Sequence, residues 1–166
     1  GTSTGVGSAY LIYGGATGIG EIDVTHLSAA QGFRIDGHDT YDLAGSTVSG
    51  AGDVNGDGFD DFLVTAVHGE HSYWYYSFGQ PTAYVIYGGE TRSGVIDIAS
   101  LSSSDGFAIH GSFQYGWGSL AISDAGDVNN DGFDDVVLKD VNGTAYVVFG
   151  RAGGYANVDL ANLGLS

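Results

Sequence analysis

The chain has no cysteine and no methionine, a single proline (Pro81), and only four Lys and Arg together. Without cysteine there is no disulfide framework and no thiolate metal site. Four basic residues cannot displace the counterions of a phosphate backbone, which excludes nucleic acid as a partner. Anionic membrane surfaces are disfavoured for the same reason. No apolar run approaches the roughly 20 residues of a membrane helix, so no membrane insertion is expected. No leader segment and no initiator methionine open the sequence, so a mature, trimmed or excised segment is expected.

What is present is glycine, aspartate and β-forming residues. The 166 residues include 30 Gly, 11 Tyr and 43% hydrophobic residues, enough apolar material for a core. The net charge is −16. Of the 20 acidic residues, 17 are Asp and only Glu21, Glu70 and Glu90 are Glu. An excess of the short carboxylate points to turns and ligand loops, where the oxygen must reach a nearby atom without a long stem.

The sequence repeats itself. Ser8-Ala9-Tyr10-Leu11-Ile12-Tyr13-Gly14 recurs at Thr82 to Gly88 and at Thr144 to Gly150. Ile22 to Leu27 recurs at Ile96 to Leu101 and Val158 to Leu163. Gly32 to Gly37 recurs at Gly106 to Gly111, and Gly52 to Asp61 at Gly126 to Asp135. Tyr10 and Tyr84 lie 74 positions apart, but Tyr84 and Tyr146 only 62. The longer spacing places an insertion between His68 and Gln80. Three segments result: a partial unit over 1–37, a full unit over 38–111, and a unit over 112–166 that lacks its last strand.

Each unit reads as strands. The AYVIYG-type runs are aromatic and β-branched and end in Gly; Phe62-Leu63-Val64 and Val136-Val137-Leu138 are short apolar runs; GFxIxG alternates. Ala44 to Ala51 and Gly118 to Ala125 read as strands of small residues. No long 3.6 period appears, and Val24 to Ala30 and Ile98 to Ser104 offer one helical turn at most. The count is nine strands, and four short strands per unit with Gly-rich turns suit a propeller blade.

Two loops carry a chemical signal. Asp53-x-Asn55-x-Asp57-Gly58-x-x-Asp61 and Asp127-x-Asn129-x-Asp131-Gly132-x-x-Asp135 place oxygen ligands at positions 1, 3, 5 and 9. Glycine at position 6 permits the bend that lets them converge, and position 7, Phe59 or Phe133, would add its carbonyl. An all-oxygen set with three carboxylates suits a hard cation, and calcium better than magnesium, which demands a tighter octahedron. Two calcium ions are expected. Position 12 is Val64 or Leu138 rather than Glu, so the loops are not EF-hands. Asp60 and Asp134, at position 8, are not counted as ligands.

These residues resemble the FG-GAP repeat of integrin alpha-subunit β-propellers and their bacterial relatives: a DxNxDGxxD loop, an apolar strand, an AYVxFG strand and a GFxIxG strand. The family's Phe-Gly stands here as Leu43-Ala44 and Trp117-Gly118. Its Gly-Ala-Pro is replaced by Thr65-Ala66-Val67 and Lys139-Asp140-Val141. The resemblance implies an all-β fold of consecutive four-stranded antiparallel propeller blades with calcium-binding hairpin loops. It implies an extracellular or cell-surface module for adhesion or protein binding. It also implies that ligands meet the rim opposite the calcium loops. There the insertion, with Tyr73, Trp74 and Tyr75, would join Tyr115 and Trp117 as an aromatic platform. A glycan ligand, giving a lectin-like propeller, is the alternative; non-catalytic blades of a larger secreted hydrolase is another.

No catalytic motif is present, and the paired carboxylates fall in the metal loops, so no enzyme is expected. His68, Glu70 and His71 lack the HExxH spacing and a third ligand. Asn142-Gly143-Thr144 is a glycosylation sequon. The strand count leaves the edge of Thr144 to Phe149 unpaired and the Gly32 to Gly37 segment free to fill it in a neighbouring copy. The expectation is a piece of a longer array or of a multi-chain assembly, self-associating through open blade edges.

Overall fold

A computed structural model describes residues 5–15, 20–40, 42–68, 80–90, 92, 94–111, 120–140 and 142–163. The fold is all-β: eleven strands in three sheets, with short 3₁₀ turns and no α-helix among the described residues. No helix there is long and apolar enough to cross a membrane.

The strands are β1 (Ser8–Ile12), β2 (Gly32–Asp36), β3 (Val48–Gly52), β4 (Asp61–His68), β5 (Gln80–Ile86), β6 (Val95–Asp97), β7 (Gly106–His110), β8 (Ala121–Gly126), β9 (Asp135–Lys139), β10 (Ala145–Val148) and β11 (Val158–Asp159). The sheets run β1-β2-β6, β11-β7-β5-β4-β3 and β10-β9-β8. Within the middle sheet, β3 and β4, β4 and β5, and β5 and β7 pair antiparallel.

Two strands exceed the nine that the sequence suggests. Both come from the Ile-Asp-x-x-x-Leu segments. β6 lies parallel on the outer edge of β2, with Ile35 opposite Ile96, and β11 lies parallel on β7, with Val158 opposite Ile109. Each unit thus reaches back and covers the edge of the unit before it. This corrects the expectation of a free Gly32 to Gly37 segment, because β2 is paired on both edges, by β1 and β6. β10 is the end strand of its sheet among the described residues.

The middle AY strand, β5, is buried on both faces, whereas β1 and β10 each expose residues on one face, Tyr10 and Val147 among them. Along β5, side chains alternate between two cores. Tyr84 and Ile86 join Phe33, Ile35 and Val64 between the first two sheets. Ala83 and Val85 join Leu63, Phe107, Val136 and Leu138 between the second and third. Burying a side chain of that size contributes about 1.5–3 kcal/mol, so these two interfaces hold the units together.

Candidate metal loops

Each loop joins two antiparallel strands, β3 to β4 and β8 to β9. The approach is set by a bulge, with register shifts at Gly50/Gly52 and Asp124/Gly126. Gly52 and Gly126 have φ of 64° and 65°, the left-handed region where glycine adds no Cβ strain.

The loop then winds around its first residue. In loop 1 the Asp53 carboxylate accepts the amides of Gly56 (2.7 Å), Asp57 (3.0 Å) and Gly58 (2.8 Å). Asn55 Oδ1 accepts the Asp57 amide, Asp57 Oδ1 accepts the Phe59 amide, and Asn55 Nδ2 donates to Asp57 Oδ2. Loop 2 repeats the pattern. Asp127 accepts the amides of Asp131 and Gly132, Asn129 that of Asp131, and Asp131 that of Phe133. Asn129 Nδ2 donates to Asp131 Oδ2. Position 4 is Gly56 in one loop and Asn130 in the other, both at positive φ, and asparagine is among the residues that tolerate that region.

Position 9 has a second task. Asp61 Oδ2 accepts the Val54 amide at 3.0 Å and its Oδ1 the Gly88 amide at 2.8 Å. Asp135 does the same with Val128 (2.9 Å) and Gly150 (2.8 Å). The carboxylate therefore ties the loop to the end of the AY strand. The glycine closing that strand is needed for the approach: a Cβ at Gly88 would strike the Asp60 carbonyl, and one at Gly150 the Asp134 carbonyl. Asp61 is 2% exposed. Burial pushes its carboxyl up to about 6 against the pull of the Gly88 and Val54 amides, and the charges of Asp57 and Asp53 push the same way.

The donor set of each loop is oxygen only: Asp53, Asn55, Asp57, Asp61 and the Phe59 carbonyl, or Asp127, Asn129, Asp131, Asp135 and the Phe133 carbonyl. That chemistry fits a hard cation. Among the described residues, no three or more His, Asp or Glu side chains are grouped so that they could hold a metal ion, and the carboxylates of Asp53 and Asp127 accept the loops' own amides. Tyr73, Trp74, Tyr75, Tyr115 and Trp117 lie outside the described residues, as do Glu70 and His71.

Position 8 links the two loops. The carboxylate of Asp134, at position 8 of loop 2, accepts the Asp53 amide of loop 1 at 2.8 Å. The two loops are in contact. The consecutive Asp60-Asp61 and Asp134-Asp135 pairs were the available signal: adjacent carboxylates with separate tasks.

A family model for the FG-GAP repeat matches residues 44–77, which include β3, loop 1 and β4. The chain carries an FG-GAP repeat there. No curated protein matches the chain.

Proposed function

We propose that the chain is a β-propeller-type binding module of the integrin kind, with blades stabilised by calcium and extracellular protein recognition as its task. The observation that carries this reading is the second appearance of one loop geometry. Two DxNxDGxxD loops wind alike on their first Asp, each joins the corresponding antiparallel strand pair of its unit, and both offer only oxygen. Within the module, Asp53, Asn55, Asp57, Asp61 and the Phe59 carbonyl would hold one ion, and their loop 2 counterparts the other. Bound calcium would neutralise carboxylates crowded into nine residues and lock each hairpin. The chain's own residues already shape the loops, because the amides of positions 5 to 7 are held by side chains at positions 1, 3 and 5.

Native mass spectrometry with and without calcium tests the reading. Two ions per chain are expected, at affinities of roughly 10⁻⁴–10⁻³ M, the range of extracellular calcium modules. Asp57→Ala and Asp131→Ala should each remove one. A chain that takes up none at millimolar calcium defeats the proposal.

A further inference from the structure

Loop 1 is clasped by the unit that follows it. Asp134 Oδ2 accepts the Asp53 amide, and the Asp134 amide donates to the Asp53 carbonyl at 3.1 Å. Beyond β10, the Arg151 amide donates to the Val54 carbonyl (2.9 Å) and the Gly153 amide to the Asn55 carbonyl (3.2 Å). The Phe133 ring lies where a Cβ on Gly56 would stand. Val54, at loop position 2, is fully buried, whereas Val128, its counterpart in loop 2, is 57% exposed. Among the described residues, no such clasp meets the main chain of Asp127, Val128 or Asn129.

Asp53 is the residue on which loop 1 is wound, since its carboxylate accepts three loop amides. The direction of that carboxylate follows from its main chain, and Asp134 holds that main chain from both the N–H and the C=O side. We propose that Asp134 is a positioning residue for cation binding in the neighbouring loop: it stands in loop 2 and orders Asp53 of loop 1. The inference rests on the calcium reading above and adds coupling between the sites. In loop 2, Asp131, the Phe133 carbonyl and Asp135 flank Asp134. Fixing them on an ion steadies Asp134 and, through it, Asp53. Occupancy of loop 2 therefore raises the affinity of loop 1, and by linkage the reverse holds equally.

The test is calcium titration by calorimetry on the whole chain, with Asp57→Ala and Asp131→Ala used to assign the two sites. Asp134→Ala is expected to weaken loop 1 by about tenfold, the loss of one charge-assisted hydrogen bond, and to weaken loop 2 by less. Asp134→Asn keeps an oxygen for the Asp53 amide and should restore most of the affinity, which a mere change of net charge would not. Amide exchange in chelator gives an independent readout. Asp134→Ala should speed exchange at Asp57 and Gly58 and leave Asp131 and Gly132 as they were. Unchanged loop 1 affinity and exchange, an equal loss at both loops, or an Asn variant as weak as the Ala variant overturns the coupling alone. A wild type that binds no calcium overturns the calcium reading and the affinity claim with it. The exchange data then still decide whether Asp134 orders loop 1.

Discussion

Asp61 holds the amide of Gly88 at 2.8 Å across 27 positions of sequence, so the loop and the AY strand share one carboxylate. The same carboxylate holds Val54, and Asp135 repeats both bonds in the next unit. Removing either carboxylate strands one buried and one partly buried donor, each worth about 1–3 kcal/mol when left without a partner. Asp61→Ala and Asp135→Ala are therefore expected to lower stability by about 2–5 kcal/mol in chelator, where no metal is lost. Asp57→Ala, in the exposed part of the loop, should cost under about 1 kcal/mol there. Urea denaturation in chelator separates the two classes. Equal losses would mean that position 9 has no role beyond a ligand's.

The elevated Asp61 pKa sets a direction with pH. Its folded value, about 6, lies above the ordinary carboxylate value of about 3.9. The folded state therefore holds this proton more tightly than the unfolded state. The associated stability is fully present below about pH 4 and is lost as pH rises through about 6. In chelator, the stability gap between wild type and Asp61→Ala should narrow over that window, because only wild type carries the group. Calcium selects the ionised carboxylate and should reopen the gap above about pH 6. Melting curves at several pH values, with and without calcium, provide the check; a gap indifferent to pH in chelator contradicts the assignment.

Gly52 and Gly126 offer a controlled pair. Their backbone conformations match, so alanine at either should meet the same left-handed strain of about 1–2 kcal/mol. Their surroundings differ. A Cβ on Gly52 would displace the Asp134 carboxylate, whereas Gly126 has open space around it. Gly52→Ala should thus be the more damaging by about 1 kcal/mol or more, the value of the inter-loop hydrogen bond. Chemical denaturation of both variants gives the difference directly. An equal cost would mean that the clasp adds nothing to folding.

The repeat made the strands legible. AYVIYG, GFxIxG and the short apolar runs each became a strand, because burial on one or both faces leaves a direct mark on residue type. The loops were legible as well, since glycine at a positive φ and oxygen at alternate positions are local requirements. Contacts between units were not. For Ile98 to Ser104 the expectation is one helical turn at most, and a 3₁₀ turn forms at Ile98–Ser100, but the three residues before it, Val95 to Asp97, pair with β2. A three-residue parallel strand has too few positions to show a period. Asp134 faces another unit, the main chain of Asp53, which spacing within one loop cannot reveal. Identical sequence at Val54 and Val128 likewise hides opposite burial.

The reaching-back segments yield the last prediction. Ile22-Asp23-Val24, Ile96-Asp97-Ile98 and Val158-Asp159-Leu160 match in sequence, and in each the Asp caps a 3₁₀ turn by accepting the amide two residues on, from Thr25, Ala99 or Ala161, at 2.9 Å. Local structure is thus the same three times, but packing is not. Ile98 and Leu160 are each 3% exposed, covered at the edge of the preceding unit, whereas Val24 is 40% exposed. If these segments fasten one unit to the next, truncation should hurt only where the segment is docked. Ile98→Ala and Leu160→Ala should each cost about 2–4 kcal/mol, the range for deleting a buried aliphatic side chain. Val24→Ala should stay within about 0.5 kcal/mol, as exposed substitutions do. Leu160→Ala should also speed amide exchange at the β7 edge, where Val158 and Asp159 pair with Ile109 and His110. A Val24→Ala variant as unstable as Leu160→Ala would show that the turn itself, not its docking, supplies the stability.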